Sequence, residues 1–531
     1  MRPFFGIFLF LLWVGSGAPC RADQSADATG DTENVISFDI WEFGVGGNSL
    51  LDTRLVERTV YPFLGEHRTI ADIEEARKAL ERSYRDAGYP TVVVNIPEQD
   101  VKEGVVRLEV VEGSVSRVRV SGSRYFSLDQ LRREVPSLAQ GQVPHLPDVQ
   151  EQIRKVNAVT PDRRVTPVFR PGRTPGTVEV DLKVRDEFPL HGDVELTGRN
   201  SRDTTRSRLS TTLRYANLFQ KAHSASLMFM TAPENTDDVK VASLTYVIPD
   251  ESSDDVYAGY AMVIRSDVAT AGAITVLGDG TIIGARYIHP LAGNNRFFHS
   301  ATLGVDYKDF GESIRPFGAD KLNTPIDYVS FAGSYRATVL RKSGRSVFGA
   351  GVNFGLRGLG NSEKEFDNKR YNARPNFIYA TAFAEHGYKL PGSFILHGEL
   401  NGQIADSPLI SNEQFSAGGA ETVRGYFESQ ALGDDGIRGS IELRSPSLAS
   451  SISSHLRGLE LFTFFDAAKL RLRDPLPGQP SRTTLYGAGT GLRMKGPAGL
   501  DADFSLAWPL KDNGTVEQGD LRPHFRLNYG F

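Results

Sequence analysis

From about Leu190 to Phe531 the chain runs in segments of about ten residues in which apolar and polar side chains alternate. Gly, Asp, Asn and Pro separate the segments. A period of two puts successive side chains on opposite faces of a strand. About sixteen such segments can be drawn, from 190–201 to 521–531, an even number as single-chain bacterial barrels require. In the last, Phe525, Leu527, Tyr529 and Phe531 point one way, and His524, Arg526, Asn528 and Gly530 the other. In the one before, Ala502, Phe504, Leu506 and Trp508 oppose Asp501, Asp503 and Ser505. Apolar groups facing lipid around a wet, charged interior explain both patterns; a soluble sandwich would reverse them. No apolar run after Val14 reaches the ~20 residues of a spanning helix. A closed barrel needs none, because its strands satisfy every backbone hydrogen bond in the bilayer. The expectation is an all-β transmembrane barrel of 16 antiparallel strands over 187–531.

The N-terminus reads as a secretory signal peptide, 1–22. Met1-Arg2-Pro3 is followed by an apolar run from Phe4 to Val14 and then by small residues. Cys20-Arg21-Ala22 places cleavage after Ala22 and removes the only cysteine, so neither a disulfide nor a cysteine metal site is expected. Losing the two arginines of this segment takes the net charge from −5 to −7. That is no footprint for nucleic-acid binding.

Between a short linker (23–35) and the barrel, one unit occurs twice, at 36–113 and 114–186. In the first, Ile36, Phe38 and Ile40 alternate with Ser37 and Asp39, which predicts a strand. A helical stretch near Asp52–Phe63 follows. A second helix opens on Thr69 and Asp72, a capping-box pair, and carries Ile73, Ala76, Leu80 and Tyr84 on one face. Val92/Val94/Ile96 and Val106/Leu108/Val110 close the unit. The second unit has Val118 and Val120, a helix capped by Ser127 with Gln130, a helix opening at Pro147, and alternation over 177–184. The order β-α-α-β-β makes each a small α+β domain. With Tyr84-Arg85-Asp86-Ala87-Gly88-Tyr89-Pro90 and Val110-Val111-Glu112-Gly113, it resembles POTRA domains. The resemblance implies a periplasmic location and binding of unfolded clients, for which pairing with an exposed strand edge is the physical route.

One long polar loop, 406–436, interrupts the barrel. It carries six acids and a single base, Arg424, within Gly418-Gly419-Ala420-Glu421-Thr422-Val423-Arg424-Gly425-Tyr426-Phe427. Hairpin loops run ~2–5 residues, and one this long is functional or disordered. On a later strand Glu460, Phe462, Phe464 and Asp466 share the charged face, which aims Asp466 at the lumen. Val423, Arg424, Gly425 and Tyr426, with Phe464 and Asp466, two POTRA-like modules and sixteen strands, resemble the two-partner secretion transporters (TpsB; the ShlB/FhaC/HecB type) of the BamA superfamily. That resemblance covers nearly the whole mature chain. It implies that the loop tip lies inside the barrel with Arg424 paired to Asp466. It also implies an outer-membrane pore that exports a large β-helical haemolysin or adhesin and in some cases activates it. The terminal Phe525, Leu527, Tyr529 and Phe531 resemble the signal read by the outer-membrane barrel assembly machinery. Some members add an N-terminal plug helix and a linker, for which the residues between Ala22 and Ile36 are too few.

The alternatives are an assembly factor of the BamA/TamA type, which carries more POTRA domains than two, and a diffusion porin, which needs none. An enzyme is the weakest reading. No Gly-x-Ser-x-Gly elbow, no His-Glu-x-x-His and no nucleotide-binding loop occurs. No cofactor is expected.

Overall fold

A computed structural model describes residues 37–531, apart from 102, 203, 251, 267, 272–273, 278, 312 and 315–321. The expected signal peptide, its cleavage at Ala22, the linker and Ile36 lie outside the described residues.

In the first module, helices Thr53–Val60 and Ile70–Asp86 pack on a sheet ordered Glu42–Gly46, Val105–Glu112, Val92–Asn95. Val56, Val60, Ile73, Leu80 and Tyr84 meet Val92, Val94, Val106, Leu108 and Val110 in one buried core. The amphipathic period of the long helix thus becomes its packed face. Asp72 starts that helix by accepting from both the Thr69 hydroxyl (2.8 Å) and the Thr69 N–H (2.9 Å). The expected first sheet strand is corrected. Ser37–Ile40 pairs instead with Gly65–Thr69 in a separate ladder, and the sheet strand is Glu42–Gly46, parallel to Val105–Glu112. Gly44 and Gly46, poor strand formers, mask that second strand in the sequence.

The second module has a sheet ordered Ser114–Ser121, Thr177–Asp186, Arg163–Pro171, with helices Leu128–Arg133 and Leu146–Val159. Ser127 occupies the N-cap position, but its side chain makes no capping bond. Gln130 donates to Glu134 (3.0 Å) rather than back to the cap. This replaces the expected Ser127–Gln130 cap.

The barrel closes on itself with sixteen antiparallel strands. They are β1 Leu190–Thr197, β2 Arg208–Leu218, β3 His223–Thr231, β4 Val239–Pro249 and β5 Val256–Ser266. Then come β6 Gly280–Asn294, β7 Phe297–Phe310, β8 Ile326–Arg341, β9 Gly344–Gly360, β10 Ile378–Lys389 and β11 Ile395–Ala405. The last five are β12 Asp435–Arg444, β13 Gly458–Arg471, β14 Arg482–Lys495, β15 Leu500–Pro509 and β16 Arg522–Gly530. β16 meets β1 from Arg526↔Thr197 to Gly530↔Asp193, and Phe531 exchanges two backbone bonds with Gly192 (2.9 and 3.0 Å).

Alternation sorts the faces. On β13, Leu461 and Phe465 are about half exposed on the outside, while Phe462, Phe464 and Asp466 are buried within. Leu527, Tyr529 and Phe531 also face outward, and Phe525 is half-buried. β1 starts at the end that follows the modules, here called the near end. Tyr257, Phe298, Tyr388 and Phe394 lie exposed around that end, as an interfacial aromatic girdle does.

The lumen is not uniformly wet, contrary to the simple alternation argument. At the far end Val239, Val241, Met262, Ile264 and Ile282 point inward and are buried. They cluster with Tyr328, with Phe366 of the short helix Glu363–Lys369, with Phe377, and with Leu409 and Ile410 of the long loop. Loops folded over the lumen provide the apolar partners that water would not.

Candidate functional site: the folded-back loop

The segment between β11 and β12 returns into the barrel. A short ladder, Phe415–Ala417 with Ala431–Gly433, joins its two limbs and leaves 418–430 as the tip. Gly418 and Gly419 (φ +108° and +113°) make the turn in the left-handed region that a side chain disfavours. The Glu428 carboxylate fills the space beside Gly419 and accepts from the Ala420 N–H (2.9 Å).

Each residue of the tetrapeptide has a separate contact. Val423 and Tyr426 are fully buried among Ala417, Ala431, Ala468, Leu470, Leu485 and Val516. The Tyr426 hydroxyl lies 2.7 Å from the Lys511 carbonyl and 3.1 Å from that of Tyr486. Gly425 (φ +97°) presses against β15, where a Cβ would sit 2.8 Å from the Pro509 nitrogen. Its N–H donates to His524 Nε2 of β16 (3.1 Å).

Arg424 reaches the wall. Its Nε and Nη2 donate to the two Asp466 oxygens (2.7 and 2.8 Å), a bidentate fork, and its backbone N–H adds a third bond to Oδ2 (3.0 Å). Nη1 donates to Glu442 Oε2 (3.1 Å) and Nη2 to Ser440 Oγ (3.2 Å), both on β12. The guanidinium lies 3.3 Å above the Phe464 ring centroid. Asp466 is fully buried and Arg424 nearly so, which holds the pair at low dielectric. The loop tip thus sets Arg424 against Phe464 and Asp466, while Val423, Gly425 and Tyr426 anchor the backbone beside it.

Sequence reasoning missed four supports. Glu442 is a hub that accepts from Arg424, Arg444 (2.6 Å) and Arg493 (3.5 Å), while Arg493 also binds Asp503 (2.8 Å). Gly487, Gly489 and Gly491 of β14 form a side-chain-free strip. A Cβ on them would overlap the Arg424 carbonyl, the Phe464 ring and the Phe462 ring in turn. The alternating Gly487-x-Gly489-x-Gly491 spacing was the available signal. Glu413, buried across the lumen, accepts from Lys308 of β7 (2.5 Å), Tyr328 of β8 (2.6 Å) and Tyr379 of β10 (2.8 Å). Glu421 pairs with Arg199. The loop is therefore fastened on both sides of the pore.

Residues 176–494 match the family model described as haemolysin secretion/activation protein ShlB/FhaC/HecB, and residues 38–113 match the ShlB-type POTRA domain. The chain belongs to the ShlB/FhaC/HecB family. Among relatives of this transporter is the outer membrane transporter CdiB of Dickeya dadantii (strain 3937). It is 22% identical over 530 residues, covering 97% of this chain and 89% of the relative. The heme/hemopexin transporter protein HuxB of Haemophilus influenzae is 22% identical over 466 residues, covering 85% and 80%. The solved CdiB structure from Escherichia coli superimposes with a TM-score of 0.62 at 20% identity, over 96% of this chain and 93% of that one. BamA from Haemophilus ducreyi, lacking POTRA domains 1–3, gives 0.58 at 14%, over 93% and 100%. At these identities the structural likeness speaks to the fold alone. Family membership makes the chain a ShlB/FhaC/HecB-type outer-membrane transporter of two-partner secretion, a system that works with secreted exoproteins. Its barrel lies in the outer membrane and its modules in the periplasm. The near end is thus periplasmic and the far end extracellular.

Proposed function

We propose that this transporter takes an unfolded exoprotein from the periplasm through its two modules and passes it through the barrel to the surface or medium. The observation that supports this most is the obstruction itself. The lumen is closed by a loop fastened through hydrogen bonds and ion pairs, which can be released and re-formed. Each module sheet has an edge strand, Val92–Asn95 in the first and Arg163–Pro171 in the second, to which an extended client can add. The energy for direction comes from folding outside the cell. A large β-helical haemolysin or adhesin suits that scheme, because its repeats add to the folded part as they emerge. Activation of a haemolysin would accompany its export. Phe525, Leu527, Tyr529 and Phe531, outward or at the seam, serve the barrel assembly machinery during biogenesis.

The test is secretion of the partner exoprotein from cells carrying a chain without residues 38–113. The barrel should remain heat-modifiable in the outer membrane while the partner disappears from the medium and is degraded in the periplasm. Undiminished secretion would overturn the reading.

A further inference from the structure

The outer wall of the barrel carries a second feature that secretion does not use. On β13 the outward side chains run Leu461, Thr463, Phe465 and Ala467, then change to Lys469 and Arg471. On β14 they run from Arg482 through Thr484 to Tyr486. The register sets Arg471 directly opposite Arg482 and Lys469 opposite Thr484. Like charges face to face across a ladder repel, and a basic side chain on the lipid face is tolerated only near an interface. The apolar band therefore ends at Ala467, and these cations stand at headgroup level in the outer leaflet.

Their neutralisation within the protein is incomplete. Asp435 lies 3.9 Å from Arg471 and 3.2 Å from Arg473, and it also accepts from the Ala405 N–H (2.9 Å). Among the described residues no ion pair reaches Lys469, Arg482 or Arg374. A polar cavity of about 670 Å³ brings Arg374, Arg471, Arg473 and Arg482 together, with Asp406 and Asp474 as its acids. Asp406 already accepts from the Ile378 N–H (3.0 Å) and Asp474 from Asn372 (3.1 Å). The cavity keeps an excess of positive charge.

Below it, two residues down the same face, Lys469 and Thr484 head an almost wholly apolar groove of about 700 Å³. Phe348, Leu400, Ile441, Phe465 and Tyr486 wall it, and small residues such as Gly398, Gly439 and Ala467 lie between. A Cβ on Gly398 would meet nothing within 4 Å. Arginine forks recognise phosphate in bidentate fashion, a polar chamber larger than one phosphate suits sugar hydroxyls, and a lipid-facing apolar groove suits acyl chain.

We propose that this wall is a binding site for a phosphorylated, multiply acylated saccharolipid of the outer leaflet. Its sugar phosphate lies on Arg471, Arg482 and Lys469, and one acyl chain lies in the groove over Gly398. The site holds β12, β13 and β14 from outside, the strands whose inner faces carry Ser440, Glu442, Asp466 and Gly487.

The test uses the full chain, delipidated in detergent and read by native mass spectrometry with bisphosphoryl lipid A, its dephosphorylated form and phosphatidylglycerol as probes. Lipid A should bind at least tenfold more tightly than either of the others. R471Q/R482Q should lose tenfold or more, and Gly398→Leu, which fills the groove without touching the charges, should lose a comparable factor. Arg296→Gln, a charge lost at the periplasmic end, should change nothing. The proposal is overturned by equal binding of phosphatidylglycerol, by displacement with inorganic phosphate alone, or by equal loss in Arg296→Gln. A dimer seated in the groove, or wild-type affinity in both site variants, would also overturn it.

Discussion

Replacing Arg424 by lysine keeps the charge and removes the fork, so it separates geometry from electrostatics at the loop tip. The guanidinium makes four side-chain bonds, at 2.7 and 2.8 Å to Asp466, 3.1 Å to Glu442 and 3.2 Å to Ser440. An ammonium presents its donors from one point and cannot span both Asp466 oxygens and Glu442 together. At least two charge-assisted bonds are lost, at about 1.5 kcal/mol each on the low side. Loss of planar stacking on Phe464 adds about 0.5–1 kcal/mol. The pair is buried, so solvent screening takes little away. A total of about 3–4 kcal/mol shifts the docked–undocked equilibrium by roughly two to three orders of magnitude. Arg424 is the only basic residue between 406 and 436, so trypsin can cut that loop only there. Cleavage at the tip therefore reports undocking, and its rate follows the open population when reclosing is fast. Lysine is also a trypsin site, and the protease's preference for arginine works against the expected direction. Arg424→Lys in intact outer membranes should be cut at least a hundredfold faster than wild type, and Asp466→Asn should follow it with the original arginine in place. Equal cleavage of wild type and both variants would refute the argument that this fork holds the loop.

The opposite fastening gives a second test. Glu413→Gln removes the charge that Lys308 needs, at a cost of about 1.5–3 kcal/mol, and should raise the open probability in planar bilayers about tenfold or more while Asp466 remains engaged. Gly487→Val puts a side chain where the Arg424 carbonyl lies, an overpacking of about 1–3 kcal/mol, and should expose the tip to trypsin without loss of heat-modifiability. In the first module, the Thr69 N–H and hydroxyl hold the Asp72 carboxyl below the usual carboxylate range. A depressed folded value contributes stability above the unfolded value of 3.8 and loses it as pH falls through the folded one, so Asp72→Asn should flatten an acid unfolding profile of the first module in that window.

Much of this fold was legible because lipid enforces alternation. The strand carrying Glu460, Phe462, Phe464 and Asp466 is β13, and β16, expected at 521–531, spans Arg522–Gly530. Periodicity gives two faces but not which one meets water. Val239 and Val241 alternate as a lipid-facing pair would, yet they point into the lumen because Leu409, Ile410 and Phe366 cover them. Glu413 was hidden for a related reason: Lys308, Tyr328 and Tyr379 sit on three strands, 105, 85 and 34 residues away. The loop's arginine could be matched to a lumen-facing aspartate because both stand in short motifs. Glu413 has no such local mark. In the first module the alternation at Ser37–Ile40 is real, but it belongs to a ladder with Gly65–Thr69, and a local pattern cannot name its partner.

On the export route proposed above, departure of the loop uncovers the strip of Gly487, Gly489 and Gly491. Those positions then offer bare backbone whose amides are already spent in the ladders to β13 and β15. The glycines themselves give a passing chain neither a side chain nor a free backbone hydrogen bond to hold it. On that route the bed that receives the loop so closely is, once vacated, a stretch of wall without side chains to hold a threading polypeptide.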